Sequence, residues 1–215
     1  MDVKQGGAAL CVPMKSRFRR WRTRLAMIIA AIAVCLGWWT YSARAQARAV
    51  AAVVALKGKV GYHDEMPFQE PLPGACWLQE LFGHDFTSSV AQVHLGDRKV
   101  RDADLKFLSD LRRLRALWLH NTAVGDGAAE QLADHRRLEE LSLRGTRITD
   151  AGLASLGQLN RLEFLYLQDT EISDAGLVRL ERLTSLKRVE LAGSRVTAQG
   201  ARRLSRILPH TCVTY

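Results

Sequence analysis

Six histidines, four cysteines and a series of evenly spaced aspartates are the residues with which this chain could do chemistry. The histidines are scattered: His63, His84, His94, His120, His135 and His210. Catalysis needs a nucleophile, a base and an orienting group within reach of one another. His84-Asp85 is a lone dipeptide and reads as a solvated turn. His94 and His120 have no Ser or Cys nucleophile beside them, so a pH-sensitive contact is the most they offer. The cysteines are Cys11, Cys35, Cys76 and Cys212. None forms a CxxC pair or stands at metal spacing with His. Cys76 and Cys212 flank opposite ends of the regular region, which argues against a bridge between them, and both read as small buried hydrophobes. Asp102, Asp126, Asp150 and Asp174 recur every 24 residues. That recurrence marks them as helix caps rather than a catalytic carboxylate pair. No GxSxG, HExxH or phosphate-binding glycine loop occurs. The expectation is therefore no enzyme, no catalytic, cofactor or metal residues, and no small-molecule substrate.

The 24-residue interval belongs to an internal repeat. Five copies begin at Val90, Leu114, Leu138, Leu162 and Leu186. LEELSLRGTRITDAGLASLGQLNR and LEFLYLQDTEISDAGLVRLERLTS are the clearest, and VAQVHLGDRKVRDADLKFLSDLRR is the most divergent. Each copy opens on alternation, so Leu141 and Leu143, or Leu165 and Leu167, point inward from a short strand. A turn follows, with Thr122, Thr146, Thr170 and Ser194 at one position; their hydroxyls are expected to bond the neighbouring turn's backbone. Val100, Val124, Ile148, Ile172 and Val196 return to the core. Thr149-Asp150 and Ser173-Asp174 cap a helix. Gly152, Gly176 and Gly200 allow close approach of backbone, and Leu153 and Leu156 face the core. His135 occupies an otherwise apolar position. One such copy cannot bury its own apolar side, but stacked copies can. HTCVTY falls in frame for a sixth strand, with Val213 and Tyr215 expected to point inward.

The pattern LxxLxLxxTxIxDxGLxxL is similar to the leucine-rich-repeat family in its helix-bearing style. The TDAGL phrase resembles repeats of F-box-associated substrate receptors and of bacterial membrane-tethered repeat proteins. Thr or Ser stands where the family usually has Asn or Cys, and Arg98 takes that place in the first copy. The resemblance implies an α/β solenoid over 90–215, with parallel strands on the concave face and helices on the convex face. It also implies recognition of a protein partner, without identifying that partner.

In this frame three columns of side chains reach the concave face. They are Gln92, Ala116, Glu140, Phe164 and Arg188; His94, Trp118, Ser142, Tyr166 and Glu190; and Gly96, His120, Arg144, Gln168 and Ala192. Large aromatics without a core role, beside polar neighbours, are what interface hot spots are made of. The expected partner-binding residues are Trp118, His120, Arg144, Phe164, Tyr166 and Gln168.

Charge separates the two ends of the chain. Residues 1–60 hold 11 Lys/Arg and one acid, whereas residues 61–215 hold 20 and 21. Basicity that lies outside the repeats argues against a nucleic-acid partner. Residues 1–24 are expected as a disordered basic tail. Leu25–Ala43 is uncharged, and as a helix it would span ~28 Å against a hydrocarbon core of about 30 Å. Trp21, Trp38, Trp39 and Tyr41 sit where aromatic belts would lie. Residues 25–43 are therefore expected to be one transmembrane helix, with 44–89 a stalk and N-terminal cap. Within it, Val60 and Tyr62 alternate like a short strand, MPFQEPLPG reads as a loop, and Trp77-Leu78 with Leu81-Phe82 as a cap turn. Lys15, Arg17, Arg19, Arg20, Arg22 and Arg24 precede the run, which places the N-terminus in the cytoplasm and the repeats across the membrane. The alternative is secretion after cleavage near Ala45, where Ala43-Arg44-Ala45 forms an A-x-A site. Functional alternatives are a structural envelope protein without a discrete ligand and a substrate adaptor of a ubiquitin-ligase-like complex.

Overall fold

The structure is a computed structural model and describes residues 15–62 and 89–215. The expected 67–74 loop, the Trp77–Phe82 turn, Cys11 and Cys76 lie outside the described residues.

Seven strands form one sheet in chain order. They are β1 (Lys59–Tyr62), β2 (Val90–His94), β3 (Ala116–Trp118), β4 (Glu140–Ser142), β5 (Phe164–Tyr166), β6 (Arg188–Glu190) and β7 (Cys212–Thr214). β2 to β7 are parallel, and Val93, Leu117, Leu141, Leu165, Val189 and Val213 align one to one. The expected repeat register is the observed one. Between strands lie a 3-10 helix (Asp102–Asp110), α2 (Asp126–Leu132), α3 (Asp150–Leu156), α4 (Asp174–Leu180) and α5 (Ala198–Ile207). The first copy, with Arg101 at the cap, has no side-chain hydroxyl to start its helix; there the Asp104 carboxylate accepts from the Arg101 N–H at 2.9 Å. One continuous core runs through the array, and the leucines of both inward strand positions are fully buried.

Each turn is built from residues that suit it. Asp97, Asn121, Gly145, Asp169 and Gly193 hold the eighth position of the five copies, all with φ between +55° and +74°. Asp, Asn and Gly are the residues that tolerate this left-handed conformation. The next residue supplies the hydroxyl. Thr122, Thr146 and Thr170 donate to Leu119 O, Leu143 O and Leu167 O at 2.5–2.7 Å. The acceptor lies three residues back in the same turn, not in the neighbouring turn as expected. A short side chain on a tight turn reaches its own backbone first.

The aspartates do more than cap their own helices. Thr149, Ser173 and Thr197 are the N-caps of α3, α4 and α5. Each cap is gripped by the aspartate of the preceding copy. Asp150 accepts from the Ser173 N–H at 2.8 Å and its hydroxyl at 2.6 Å. Asp126 does the same for Thr149, and Asp174 for Thr197. The glycine three residues after each cap makes room for that carboxylate: a Cβ on Gly152 would lie 2.5 Å from Asp126 Oδ1, and Gly176 and Gly200 meet Asp150 and Asp174 in the same way. The fifth copy carries Ala198 at the aspartate position.

Of two expectations for the core, that of His135 in an otherwise apolar place holds and that of Tyr215 is corrected. His135 is buried, with Nε2 2.8 Å from Leu108 O and Nδ1 unpartnered. Leu111, Leu159 and Leu183 fill the equivalent place in other copies. Leu108 O also accepts the Leu111 N–H at 2.8 Å. His135→Leu therefore removes an unsatisfied ring nitrogen without orphaning the carbonyl. We expect stabilisation of about 1 kcal/mol, read as a midpoint shift in urea unfolding; a lower midpoint would disprove it. Tyr215, expected inside, is 54% exposed, whereas Val213 packs on the core. Among the described residues β7 pairs only with β6, and none of their strands covers the residue that follows it.

The chain divides into two compact units, residues 1–41 and 42–215, and α1 (Lys15–Ala55) contributes to both. In the first unit, residues 15–24, expected as disordered, are helical. They contain neither Gly nor Pro and are rich in Arg, a good helix former. Met27, Ile29 and Val34 are exposed there. Several side chains of Leu25–Ala43, Trp38 and Trp39 among them, lie outside the described residues, as does that of Trp21. Among the described residues no helix is long and apolar enough to cross a membrane. In the second unit, Ala45, Ala49 and Val53 follow one another at four-residue spacing and are buried at 6%, 0% and 0% exposure. This part of the expected stalk is a packed cap. The chain reverses at Gly58, and β1 pairs antiparallel with β2, Lys59 opposite His94.

Candidate interaction face

The sheet buries one face against the helices and leaves the other open. The three columns of the repeat frame lie along that open face, since Gln92, Ala116, Glu140, Phe164, Arg188 and Cys212 are successive register partners, and so are His94, Trp118, Ser142, Tyr166, Glu190 and Thr214. Trp118, Phe164 and Tyr166 are half-buried rather than fully exposed. Ala116 and Ser142 point away from the core yet are buried, because larger neighbours close over them.

The six expected residues fall into two groups. Trp118, Phe164, Tyr166 and Gln168 belong to a central tray. The Trp118 indole stacks on His94, with ring centroids 3.9 Å apart and planes 4° from parallel. Its Nε1–H donates to Glu140 Oε1 at 3.2 Å. Gln168 donates to Glu190 Oε2, and Arg188 Nη1 lies 3.6 Å from Glu190 Oε1. His120 and Arg144 are instead held at the turn edge. The His120 ring covers Gly96, where a Cβ would overlap it, and its Nε2 is 3.3 Å from Asp97 Oδ2. Arg144 Nε donates to Asp169 Oδ2 at 3.2 Å. His94, Glu140 and Glu190 complete the tray. They stood in the same columns of the repeat frame, but a column shows which residues are level, not which reach diagonally to the next strand.

Electrostatics sort these groups further. Burial, then Lys59 and His120, hold the His94 imidazole below its ordinary range, so the ring stacked on Trp118 is neutral at neutral pH. Burial is the main cause that raises the Tyr166 phenol, with smaller contributions from the Glu140 and Glu190 carboxylates, partly offset by Arg188. The hydrogen bond from Asn121 keeps Asp97 ionised below the usual carboxylate range, with His120 adding to it. Among the described residues no group of His, Cys, Asp and Glu could hold a metal ion. The tray is a platform of aromatic surface with hydrogen-bonded polar groups.

Residues 135–157, which run from the end of the second copy through α3, match the family model described as Leucine Rich repeat. The same 24-residue unit occurs in register on either side of that match. The chain thus carries a leucine-rich repeat at this segment. No curated protein matches its sequence. Among solved structures it is similar to a leucine-rich-repeat protein of Leptospira interrogans, at 20% identity and a TM-score of 0.41 over 51% of this chain and 27% of that one. It thus spans about a quarter of that protein's length. It is also similar to the leucine-rich-repeat ectodomain of the receptor kinase SOBIR1 from Arabidopsis thaliana, at 14% identity and a TM-score of 0.44 over 72% and 82% of the two chains. Internalin C2 from Listeria monocytogenes shares 14% identity, with a TM-score of 0.36 over 60% and 75%.

Proposed function

We propose that this leucine-rich-repeat protein is a membrane-anchored interaction module, not an enzyme, that binds a protein partner through the open face of its sheet. The observation that carries the reading is the tray of Trp118, Phe164 and Tyr166 on the face turned from the core. A buried-core role would hide these rings, and an idle surface would not set three aromatics among His94, Glu140 and Glu190. Half-exposed aromatics with hydrogen-bonding neighbours make large contact area at low cost in conformational entropy.

Two features support the anchor. The uncharged run Leu25–Ala43 falls within one helix, and its described large apolar side chains, Met27, Ile29 and Val34, are exposed. The basic block before it favours a cytoplasmic N-terminus, with the repeats on the other side. A periplasm-active reporter fused after Tyr215 would be active under this topology; an inactive fusion would reverse it.

Trp118→Ala with Tyr166→Ala leaves the fold intact, because neither ring is part of the core, and removes the partner. The expected result is a retained far-ultraviolet circular dichroism spectrum and cooperative melting at a modestly lower temperature, with loss of the protein that co-purifies with the full chain from its native membrane fraction. Undiminished recovery of that protein would disprove the open-face assignment. Cross-linking separates this reading from a structural envelope role: adducts with one foreign protein support it, and adducts between copies of this chain alone oppose it.

A further inference from the structure

The loops leading into the strands stack arginine upon arginine. Arg113, Arg137 and Arg161 hold the last position of three successive copies, 24 residues apart, and all are exposed. Elsewhere the same stacking brings opposite charges together: Arg115 with Glu139 at 2.8 Å, Glu163 with Lys187 at 2.6 Å and Glu171 with Arg195 at 3.1 Å. The arginine column breaks that rule. Like charges on adjacent turns repel, and among the described residues none of the three forms an ion pair. Arg112 and Arg136 stand exposed beside them, with Asp110 and Asp134 as the nearby carboxylates. The column lines an open groove of about 230 Å³ together with Ser89, Arg115 and Glu139.

The chain enters the repeat domain through the second half of α1. Val53 lies near Leu95, at the ends of the strands, since a Cβ on the intervening Gly58 would touch both. Ala45, eight residues earlier in the same helix, is buried as well. Ala43, the last residue of the uncharged run, is only two residues before Ala45.

We propose that Arg113, Arg137 and Arg161 dock the repeat domain onto anionic lipid headgroups. The proposal rests on the anchor reading above, because a domain joined directly to a membrane span is confined to the bilayer surface. Basic side chains near an anionic leaflet are attracted within a Debye length. A row of guanidiniums, each able to fork onto phosphate oxygens, suits headgroups that are themselves laid out in a plane.

The test uses the full chain in nanodiscs of phosphatidylcholine, with or without about 30 mol% phosphatidylglycerol. Melting of the repeat domain is followed by circular dichroism. Docking should raise the melting temperature by about 5–10 °C in the anionic discs, and roughly 0.5 M salt should erase the rise. Arg113→Gln/Arg137→Gln/Arg161→Gln should abolish the rise while melting in phosphatidylcholine discs at or above the parent temperature, since self-repulsion is relieved. Co-elution with both discs but equal melting temperatures would overturn lipid docking and leave the anchor standing. Failure to co-elute with either disc would overturn both. A rise of the same size produced by duplex DNA in phosphatidylcholine discs would overturn the lipid assignment in favour of nucleic acid.

Discussion

Leu165→Ala is expected to lower the unfolding free energy of the repeat array by about 3–5 kcal/mol. Leu165 is fully buried in the middle of the ladder, with Leu141 and Val189 as its register partners. Alanine removes the side-chain transfer energy and leaves a cavity. The cavity cannot close, because parallel pairing on both sides of β5 fixes the distance between neighbouring copies. A solenoid holds together through nearest-neighbour contacts, so a weak central interface also loosens the coupling between its halves. Urea unfolding followed by circular dichroism should show both a lower midpoint and a shallower transition. A loss below about 1 kcal/mol would mean that this position is not the tightly packed centre described above.

The second large effect is a coupled one. Asp150→Ala strips the Ser173 N–H and hydroxyl of their acceptor, and hydrogen bonds to a charged group are worth about 1.5–3 kcal/mol. Gly176→Ala places a Cβ against Asp150 Oδ1, with Leu153 Cδ1 at 3.1 Å. Overpacking of this kind costs about 1–3 kcal/mol, against the ~1 kcal/mol that alanine gains over glycine in a helix. Each single variant should therefore destabilise. In the double variant the carboxylate is gone and the new methyl has space. The two losses should combine to at least 1 kcal/mol less than their sum. Additivity within about 0.5 kcal/mol would show that the glycine and the aspartate serve separate purposes.

The repeat was legible because its signals are periodic and redundant. Leu141, Leu165 and Val189 each announce an inward strand position, and agreement among copies removes the ambiguity of any one of them. Val60 and Tyr62 showed β1 by alternation alone. The direction of the Thr146 hydroxyl was not legible, since spacing places a side chain at a turn but does not choose between two acceptors. The role of Asp150 was half visible. Its recurrence excluded catalysis, but its grip on Ser173 crosses copies and depends on the gap left by Gly176. Asp97, Asn121, Gly145, Asp169 and Gly193 share one conformational demand that was present in the sequence, hidden because three residue types meet it. In the tray, the columns placed Trp118 and Tyr166 on the open face. They did not show that Glu140 leans across to the Trp118 indole, because diagonal reach depends on rotamers.

The identity of residue 198 bears on any redesign that would add a copy. Each junction from Asp126 onward is closed by a carboxylate reaching forward to the cap of its successor, and alanine supplies no such arm. A sixth helical copy spliced in after α5 would arrive with two donors and find no acceptor beneath it. Lengthening this protein by design would thus begin with Ala198→Asp, which supplies the oxygen pair that the next cap needs.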